Sequence, residues 1–247
     1  MKRITIIFYV LITLIRFGCK DNSVELLPPV EYKPLIPLSV GNYWLYQGYT
    51  LNSDSSSGGT ADPWKFGFII QSPTAKLFKE NNIIYQMSRC GEDLKPFDDT
   101  GFTLYGGNKL VYQNGKGLYY SGVVRKDTVI ITFNDLIFPY PTEKNKSVAG
   151  HVFYYNNSGN TSNVSDETIT QYTCISLDSL FSTPLGDFRC IVYKMAWQDF
   201  PPLFRDEVYY FVKPGLGIVG MVQMVYHYNS NKYTYFMKHV LTDYRIN

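Results

Sequence analysis

Histidines and paired carboxylates are the side chains of this sequence that could hold a metal ion or move a proton. His227 and His239 fall on two successive predicted strands, and Asp98-Asp99 and Asp206-Glu207 are adjacent acidic pairs. In the expected strand register the two histidines lie on opposite faces of a sheet, so they cannot share a metal ion. Each acidic pair lies beside a turn or a strand start, where solvent-exposed charge is the ordinary explanation. These residues therefore predict no metal site and no acid–base pair.

Catalytic motifs are absent from the rest of the sequence as well. It contains no Gly-x-Ser-x-Gly nucleophile elbow, no His-Glu-x-x-His zinc motif and no glycine-rich phosphate-binding loop. His151 stands alone near a strand start, and a lone histidine of this kind is typical of a hydrogen-bonded structural residue. We therefore expect a protein that is not an enzyme, with no catalytic residues and no cofactor.

The N-terminal segment has the organisation of a bacterial export signal. Basic residues occupy the second and third positions, and residues 4–15 are mostly apolar. That run is shorter than the roughly 20 apolar residues that a membrane-spanning helix needs. Gly18-Cys19 resembles the lipobox of bacterial lipoproteins, in which the cysteine is acylated and becomes the new N-terminus, although Arg16 replaces the usual leucine. We predict a signal peptide over residues 1–18 and lipidation of Cys19. The alternative is an ordinary signal peptide or an uncleaved anchor with an incidental cysteine.

Residues 19–36 are predicted to be a lipidated tether between the membrane and a folded body. Prolines recur through Leu27–Pro34, and this spacing favours an extended chain. A lipidated Cys19 usually carries several acyl chains such as palmitate, and two or more are enough for stable anchoring. No aspartate follows Cys19 directly, as it would in lipoproteins that some bacteria retain in the inner membrane. We therefore expect a lipid-anchored protein of the outer membrane, at its periplasmic face or at the cell surface.

The remaining cysteines leave the redox state open. With Cys19 acylated, Cys90, Cys174 and Cys190 remain, so at most one intramolecular disulfide can form in an oxidising compartment. Cys174 and Cys190 lie on consecutive predicted strands and are the favoured pair, although a tight turn at 184–187 would place Cys190 opposite another residue. Three buried thiols fit the sequence equally well.

Composition indicates an aromatic-rich body with no polyanionic partner. The chain has 22 Tyr and 16 Phe, only 18% charged residues and a formal net charge of +2. So small a charge disfavours nucleic acid as a partner. Tyrosine suits positions where one end of the side chain is buried and the other is wet, as on the concave face of a partly covered sheet. The sequence carries no signal for the oligomeric state.

Short β-branched and aromatic segments separated by turn residues predict an all-β fold. Asn114-Gly115-Lys116-Gly117 is a strong hairpin signal, and Pro214-Gly215 has the residues of a type II turn. No amphipathic helix longer than two turns is evident. We predict a single antiparallel domain over residues 37–247, a meander curled into a half-open β-barrel with few or no long helices.

The last hairpin allows a more detailed prediction of register and facing. If residues 229–232 form the loop, Tyr228 faces Tyr233 across the two strands. Alternation along the first of these strands then places Met224 on a dry face and Gln223 on a mixed one.

Three motifs, in order along the chain, resemble those of a group of uncharacterised bacterial lipoproteins. Gly41-Asn42-Tyr43-Trp44 matches a Gly-Asn-x-Trp start, Pro184–Phe188 matches a Pro-x-Gly-x-Phe hairpin, and Tyr209–Val219 matches a Tyr-Tyr-x-x-x-Pro-Gly-x-Gly-x-Val turn. The resemblance implies an antiparallel sheet curled into a half-open barrel, loosely similar to the LolA-type lipoprotein carriers. It implies no reaction.

Two functions fit these expectations. In the first, the protein is a non-enzymatic envelope lipoprotein that binds an apolar ligand, such as a lipid chain, on a concave face lined by Trp44, Tyr210 and Met224 among others. The ordinary alternative for each of these residues is that it fills the core. In the second, the protein is a tethered structural or adhesive module whose exposed tyrosines and loops contact a protein or a glycan. A large dry cavity would favour the first function, and a filled barrel with an exposed aromatic patch the second.

Overall fold

Antiparallel strands make up the regular structure of this protein. The computed structural model describes residues 33–50, 64–72, 78–79, 82–97, 108–125, 128–155, 164–197, 207–227 and 232–247. The strands are β1 Tyr43–Thr50, β2 Trp64–Gln71, β3 Phe78–Lys79, β4 Asn82–Ile83, β5 Tyr85–Cys90, β6 Asn108–Asn114, β7 Gly117–Arg125, β8 Thr128–Pro139, β9 Ser147–Tyr155, β10 Val164–Thr183, β11 Gly186–Trp197, β12 Glu207–Lys213, β13 Gly217–His227 and β14 Lys232–Arg245. Those ranges contain no helix, and so none of the length and apolarity needed to span a bilayer. The predicted all-β fold is confirmed.

Twelve of the strands form one antiparallel sheet that curls into a barrel. Their order is β8-β7-β6-β5-β2-β1-β14-β13-β12-β11-β10-β9, while β3 and β4 form a separate hairpin. The pairing of β1 with β14 joins the first and last strands of the described chain. The edge strands β8 and β9 lie beside each other, but in the described ranges no hydrogen-bonded ladder joins them. The sheet is therefore a barrel with one unsealed seam, as predicted.

Two predicted turns form for the expected reason. Between β12 and β13 the amide of Leu216 donates to the carbonyl of Lys213 at 2.9 Å, and Gly215 has a φ of +82°. A type II turn requires a positive φ at that position, which glycine adopts without strain. Between β6 and β7, Gly117 has a φ of +134°, and a Cβ there would lie 2.1 Å from the carbonyl oxygen of Phe138. A larger residue fits neither position.

Aromatic side chains fill one end of the barrel interior. Directly opposed residues of antiparallel strands share a face, and the register places Trp44 opposite Phe68 and Tyr46 opposite Phe66. All four side chains are buried. Trp44 Nε1 donates to the carbonyl oxygen of Leu216 at 2.6 Å, and the Tyr46 hydroxyl donates to a β13 carbonyl at 2.7 Å. Because their polar tips are bonded, these rings are buried without an unsatisfied donor.

Aromatic contacts also hold the two sides of the seam together. Phe138, near the end of edge strand β8, lies 4.8 Å from the ring of Tyr193, 5.2 Å from that of Tyr210 and 6.1 Å from that of Tyr172, measured between centroids. The Tyr193 hydroxyl donates to the carbonyl oxygen of Pro139 at 2.6 Å. Strands β10, β11 and β12 therefore meet β8 through side chains where the backbone ladder is missing.

The segment before β1 closes the packed end of the barrel. We call residues 33–38 the plug, after the buried side chains of Leu35 and Ile36, which are 0% and 2% exposed. The carbonyl of Pro34 accepts a hydrogen bond of 2.7 Å from the amide of Gly215. The amide of Ile36 donates to Gln113 Oε1 on β6 at 3.0 Å. The plug therefore spans the interior between β6 and the β12–β13 turn.

Because the plug is part of the core, the folded domain begins earlier than the predicted residue 37. The compact unit runs from Lys33 to Asn247, whereas residues 19–36 are predicted from the sequence to be the tether. The difference arises because Leu35 and Ile36 bury apolar surface that the proline-based prediction did not weigh. Signal-peptide and tether residues before Lys33 lie outside the described part of the chain.

The tip of the β10–β11 hairpin covers part of the outer face. The Phe181 ring lies 4.2 Å from the ring of Phe211, and a Cβ on Gly220 would lie only 2.1 Å from the same Phe181 ring. The Lys238 ammonium sits 5.4 Å above that ring. Phe211 and Gly220 are cross-strand partners on the face opposite to Tyr210. The sheet is consequently buried on both faces here.

Burial on both faces explains why one sequence prediction is wrong. Tyr233 pairs with Tyr226 and not with Tyr228, because β13 ends at His227 and β14 begins at Lys232, each one residue earlier than predicted. Gln223 is buried and shares the inner face, while Met224 is half-buried on the outer face. The bulge opposite Phe211 and Val212 adds Val219 to β13, so the alternation before this bulge does not continue unchanged to Met224. Polarity alone therefore does not reveal the inward side of β13.

Replacing Leu35 with alanine should lower the free energy of unfolding by about 2–4 kcal/mol, because a fully buried leucine leaves a cavity. Val40→Ala is the matched control, since Val40 is 53% exposed in the same segment and should change stability by no more than about 0.5 kcal/mol. Denaturant unfolding measures both. Equal effects would show that the plug is not part of the core.

Candidate functional site

Inner-face side chains are unevenly buried along the barrel. At the plugged end Trp44 and Tyr193 are almost fully buried. Elsewhere the inner face carries half-buried residues, which we call the accessible lining: Trp64, Arg89, Lys109, Tyr210 and Met237. Their facing follows from the cross-strand register with buried inner-face neighbours. The interior is therefore packed at one end and reached by solvent beyond it.

Arg89 lies within an aromatic part of this lining. It is directly opposite Phe68 on the inner face. Its guanidinium carbon lies 5.1 Å from the centroid of the Phe66 ring and 5.5 Å from that of Phe97, within the range of a cation–π interaction. Its Nε is buried and has no hydrogen-bond acceptor among the described residues. The two rings thus hold the guanidinium in place and leave its Nε–H without an acceptor in the described protein.

Lys109 is a second inner-face cation. It is directly opposite Met87 and lies two residues before Val111, which is 1% exposed in the core. Burial lowers the pKa of its ammonium, because a low-dielectric surrounding disfavours the charged form. Within the described ranges no carboxylate pairs with it. Because Arg89 is two residues from Met87 on β5, the two cations are diagonal neighbours, with Cα atoms about 7–8 Å apart.

His239 lies next to this pair of cations. Its ring is 4.9 Å from that of Phe66 and 5.7 Å from that of Trp64, in both cases edge to face. Burial, and then the charge of Arg89, lower the pKa of His239 from 6.5 to about 4. His239 is therefore neutral at pH 7, and the positive charge on the inner face comes from Arg89 and Lys109.

A buried carboxyl on the inner face, Asp135, lies two strands from Lys109, on β8. Asp135 is opposite Tyr120, which is opposite Val111. Its charge acts on Tyr172, near the seam. Burial is the main cause that raises the pKa of Tyr172 to about 12; Thr170 lowers it and Asp135 raises it further. Asp135 is not among the groups that influence the pKa of Lys109.

The predicted ligand-binding residues occupy three different surroundings. Trp44 is 2% exposed, and its indole nitrogen is bonded to the β12–β13 turn, so it belongs to the packed end. Tyr210 is half-buried on the inner face, where burial raises its pKa. Met224 lies on the outer face opposite Glu207, because Met221 and Gln223 take the inward positions of β13. The expectation that all three share the concave face is wrong for Met224.

Sequence reasoning did not select Arg89 and Lys109. A weak signal exists, because alternation puts Lys109 on the face of Val111 and Arg89 on that of Met87. Apolar residues on both faces of β6 hide which face points inward. A charged residue at a strand end also ordinarily indicates solvent exposure.

The three cysteines of the described body are buried thiols. Cys174 lies opposite Tyr193, whereas Cys190 lies opposite Ser179, so the favoured Cys174–Cys190 disulfide is wrong. The tight turn between Thr183 and Gly186 sets a register in which Cys190 lies opposite Ser179, five residues from Cys174. Burial raises the pKa of Cys90 and of Cys190 to about 11 and also raises that of Cys174. The predicted lipidation site, Cys19, lies outside the described residues.

Chemically, the lining can bind but shows no catalytic constellation. The described ranges contain no group of three or more His, Cys, Asp or Glu side chains that could hold a metal ion. Arg89 and Lys109 donate hydrogen bonds and positive charge, and the neighbouring rings offer apolar surface. This combination suits an amphiphilic or apolar ligand.

Comparison with known proteins adds two solved structures. A protein inferred to be exported, with YmcC-like fold, from Bacteroides fragilis has 13% identity and a TM-score of 0.42, covering 87% of this chain and 100% of its own. A protein inferred to be a lipoprotein, from Parabacteroides distasonis, has 13% identity and a TM-score of 0.46, covering 86% and 99%. At these scores neither supports a further argument. No protein-family model and no curated protein matches the chain. The motif resemblance to a lipoprotein group stays a prediction.

The free energy of unfolding should fall as the pH drops from about 6.5 to 4. His239 has a folded pKa of about 4, below its ordinary 6.5, so the unfolded state binds the proton first and stability is lost as the pH falls. The loss attributable to this residue should reach about 3 kcal/mol. Denaturant unfolding of the wild type and of His239→Phe measures it. Parallel pH profiles for the two proteins would contradict a buried neutral His239.

Cys90, Cys174 and Cys190 should resist alkylation in the folded protein. Because their thiols are buried and the pKa of Cys90 and Cys190 is about 11, the reactive thiolate is scarce at pH 8. Iodoacetamide should modify them at least about a hundredfold more slowly in buffer than in denaturant, and mass spectrometry counts the adducts. A chain that takes up fewer than three adducts in denaturant without reductant would contain the disulfide that the structure lacks.

Proposed function

We propose that this protein is a non-enzymatic lipoprotein of the cell envelope that holds an apolar ligand, such as a lipid chain, against the inner face of its barrel. One observation supports this most directly: Trp64, Tyr210 and Met237 face inward yet are only half-buried. Apolar side chains that line an interior and keep part of their surface accessible are what an apolar ligand site requires.

The packed end sets a limit on such a ligand. Trp44, Tyr46, Leu35 and Ile36 fill the plugged end, and their polar atoms are bonded within the protein. A chain therefore enters from the side of the accessible lining and stops at Tyr210, where the packed rings of the seam begin. Part of a chain, and not a whole lipid, fits this arrangement.

The proposal includes an anchor at Cys19 and a place at the outer membrane. Its support is the sequence of the first 36 residues, which combines a basic start, an apolar run, Gly18-Cys19 and a proline-spaced segment. The tether ends at the plug, since Pro34 is bonded to the β12–β13 turn.

A second candidate function is a tethered module that contacts a protein or a glycan. The observation in its favour is the β10–β11 hairpin, which exposes Leu177, Leu180 and Leu185 at 48%, 62% and 44%. Exposed apolar side chains concentrated on one hairpin are typical of contact surfaces. This function would leave the accessible lining without a role.

Photo-crosslinking in the host distinguishes the two functions. Cells grown with a neutral alkyl diazirine should yield protein labelled on peptides that carry Trp64 or Met237. Met237→Glu should reduce this labelling at least fivefold, on the order of the cost of a charge in an apolar site, whereas Leu180→Glu on the exposed hairpin should not. Mass spectrometry locates the adducts. Label confined to the hairpin, or to residues 1–32, would contradict a ligand site in the barrel.

A further inference from the structure

We propose that the inner face recognises the anionic head group of a single-chain amphiphile, a carboxylate or a phosphate monoester, through Lys109 and Arg89. The inference rests on the proposed function and deepens it by naming the ligand class. The apolar chain would occupy the accessible lining, and the head group would lie against the two cations.

Lys109 has no structural role that its position explains. It takes an inner-face place between Met87 on β5 and the buried Val111 on its own strand. An ammonium in such surroundings loses part of its hydration, which costs free energy unless a hydrogen-bonding or charged partner offsets the loss. An apolar side chain at this position would stabilise the core more. An anion bound from outside supplies the missing partner and forms a charge-assisted hydrogen bond.

Arg89 is oriented for the same task. The rings of Phe66 and Phe97 hold its guanidinium at 5.1 and 5.5 Å, which restricts the side chain before any ligand arrives. Its planar fork of N–H donors matches the geometry of carboxylate and phosphate oxygens. As a diagonal neighbour of Lys109 it allows one anion to meet both cations.

No carboxylate of the described residues pairs with Lys109 or Arg89, so the positive charge of this site is not neutralised within the described protein. Glu92 pairs with Lys65 at 2.5 Å and Glu207 with Lys194 at 3.1 Å, and both lysines lie on the outer face. Asp135 is buried near Tyr172. Lys65 and Lys194 on the outer face thus have acidic partners, while Arg89 and Lys109 on the inner face have apolar neighbours.

Competition against the photoreactive alkyl probe tests the proposal on full-length protein in its native membranes. Octanoate, octyl phosphate and octanol share one chain length and differ in head group, and inorganic phosphate tests an anion without a chain. The concentration that halves labelling of the Trp64 and Met237 peptides is measured for wild type, Lys109→Gln, Lys109→Arg and the control Lys116→Gln, whose lysine is exposed in the β6–β7 turn. The three competitors partition differently into the membrane. This difference does not affect the result, because each competitor is compared with itself across the protein variants.

Lys109→Gln should weaken octanoate and octyl phosphate at least about tenfold, the loss of one charge-assisted bond, and leave octanol unchanged. Lys109→Arg should retain the preference for the two anionic competitors, and Lys116→Gln should behave as wild type.

An equal effect of Lys109→Gln on all three competitors overturns the head-group proposal while the proposed function stands. Inorganic phosphate as effective as octyl phosphate also overturns it, since the site would then take a free anion. Absence of inner-face labelling by the probe itself would instead contradict the proposed function.

Lys109→Gln should fold at least as stably as the wild type, because it removes a partly desolvated charge that has no partner in the described protein. Denaturant unfolding without ligand checks this. A loss of more than about 2 kcal/mol would mark Lys109 as structural and overturn the proposal.

Discussion

The structure depends on how its seam is held. The sheet is one continuous meander, but its edge strands β8 and β9 lack a backbone ladder in the described residues, and open edges of this kind invite pairing with other chains. Phe138 compensates by packing against Tyr172, Tyr193 and Tyr210, and the Tyr193 hydroxyl bonds to the β8 backbone. These side-chain contacts stabilise the closed form of the barrel where backbone hydrogen bonds do not.

Closure by side chains has a consequence for the interior. One end of the interior is filled by the plug and by the rings that bridge the seam. Only the rest of the inner face is therefore accessible. Tyr210 marks the boundary, since it touches Phe138 on one side and is half-exposed on the other. The two unneutralised cations lie in the accessible part, on β5 and β6. The inner face of the sheet thus contributes to stability at its packed end and to the proposed binding at its accessible lining.

Much of the fold could be predicted from local chemistry, and the site could not. Turn residues such as Pro214-Gly215 and the aromatic-rich strands between them specify an antiparallel barrel with little ambiguity. Which side of a strand points inward is set by distant contacts and bulges: Phe181 covers the outside of Gly220, and the bulge opposite Phe211 and Val212 shifts the alternation of β13. Met224 was misplaced for this reason, and Lys109 was overlooked because a lysine at a strand end normally indicates solvent.

The central claim is that the accessible lining, and not the packed end, receives a ligand chain. Quenching by a fatty acid with a brominated chain tests it directly in single-tryptophan variants, since the chain has three tryptophans, Trp44, Trp64 and Trp197. A variant that retains only Trp64 should lose most of its fluorescence on binding, while one that retains only Trp44 should be unaffected. Equal quenching of both, or of neither, would contradict the account.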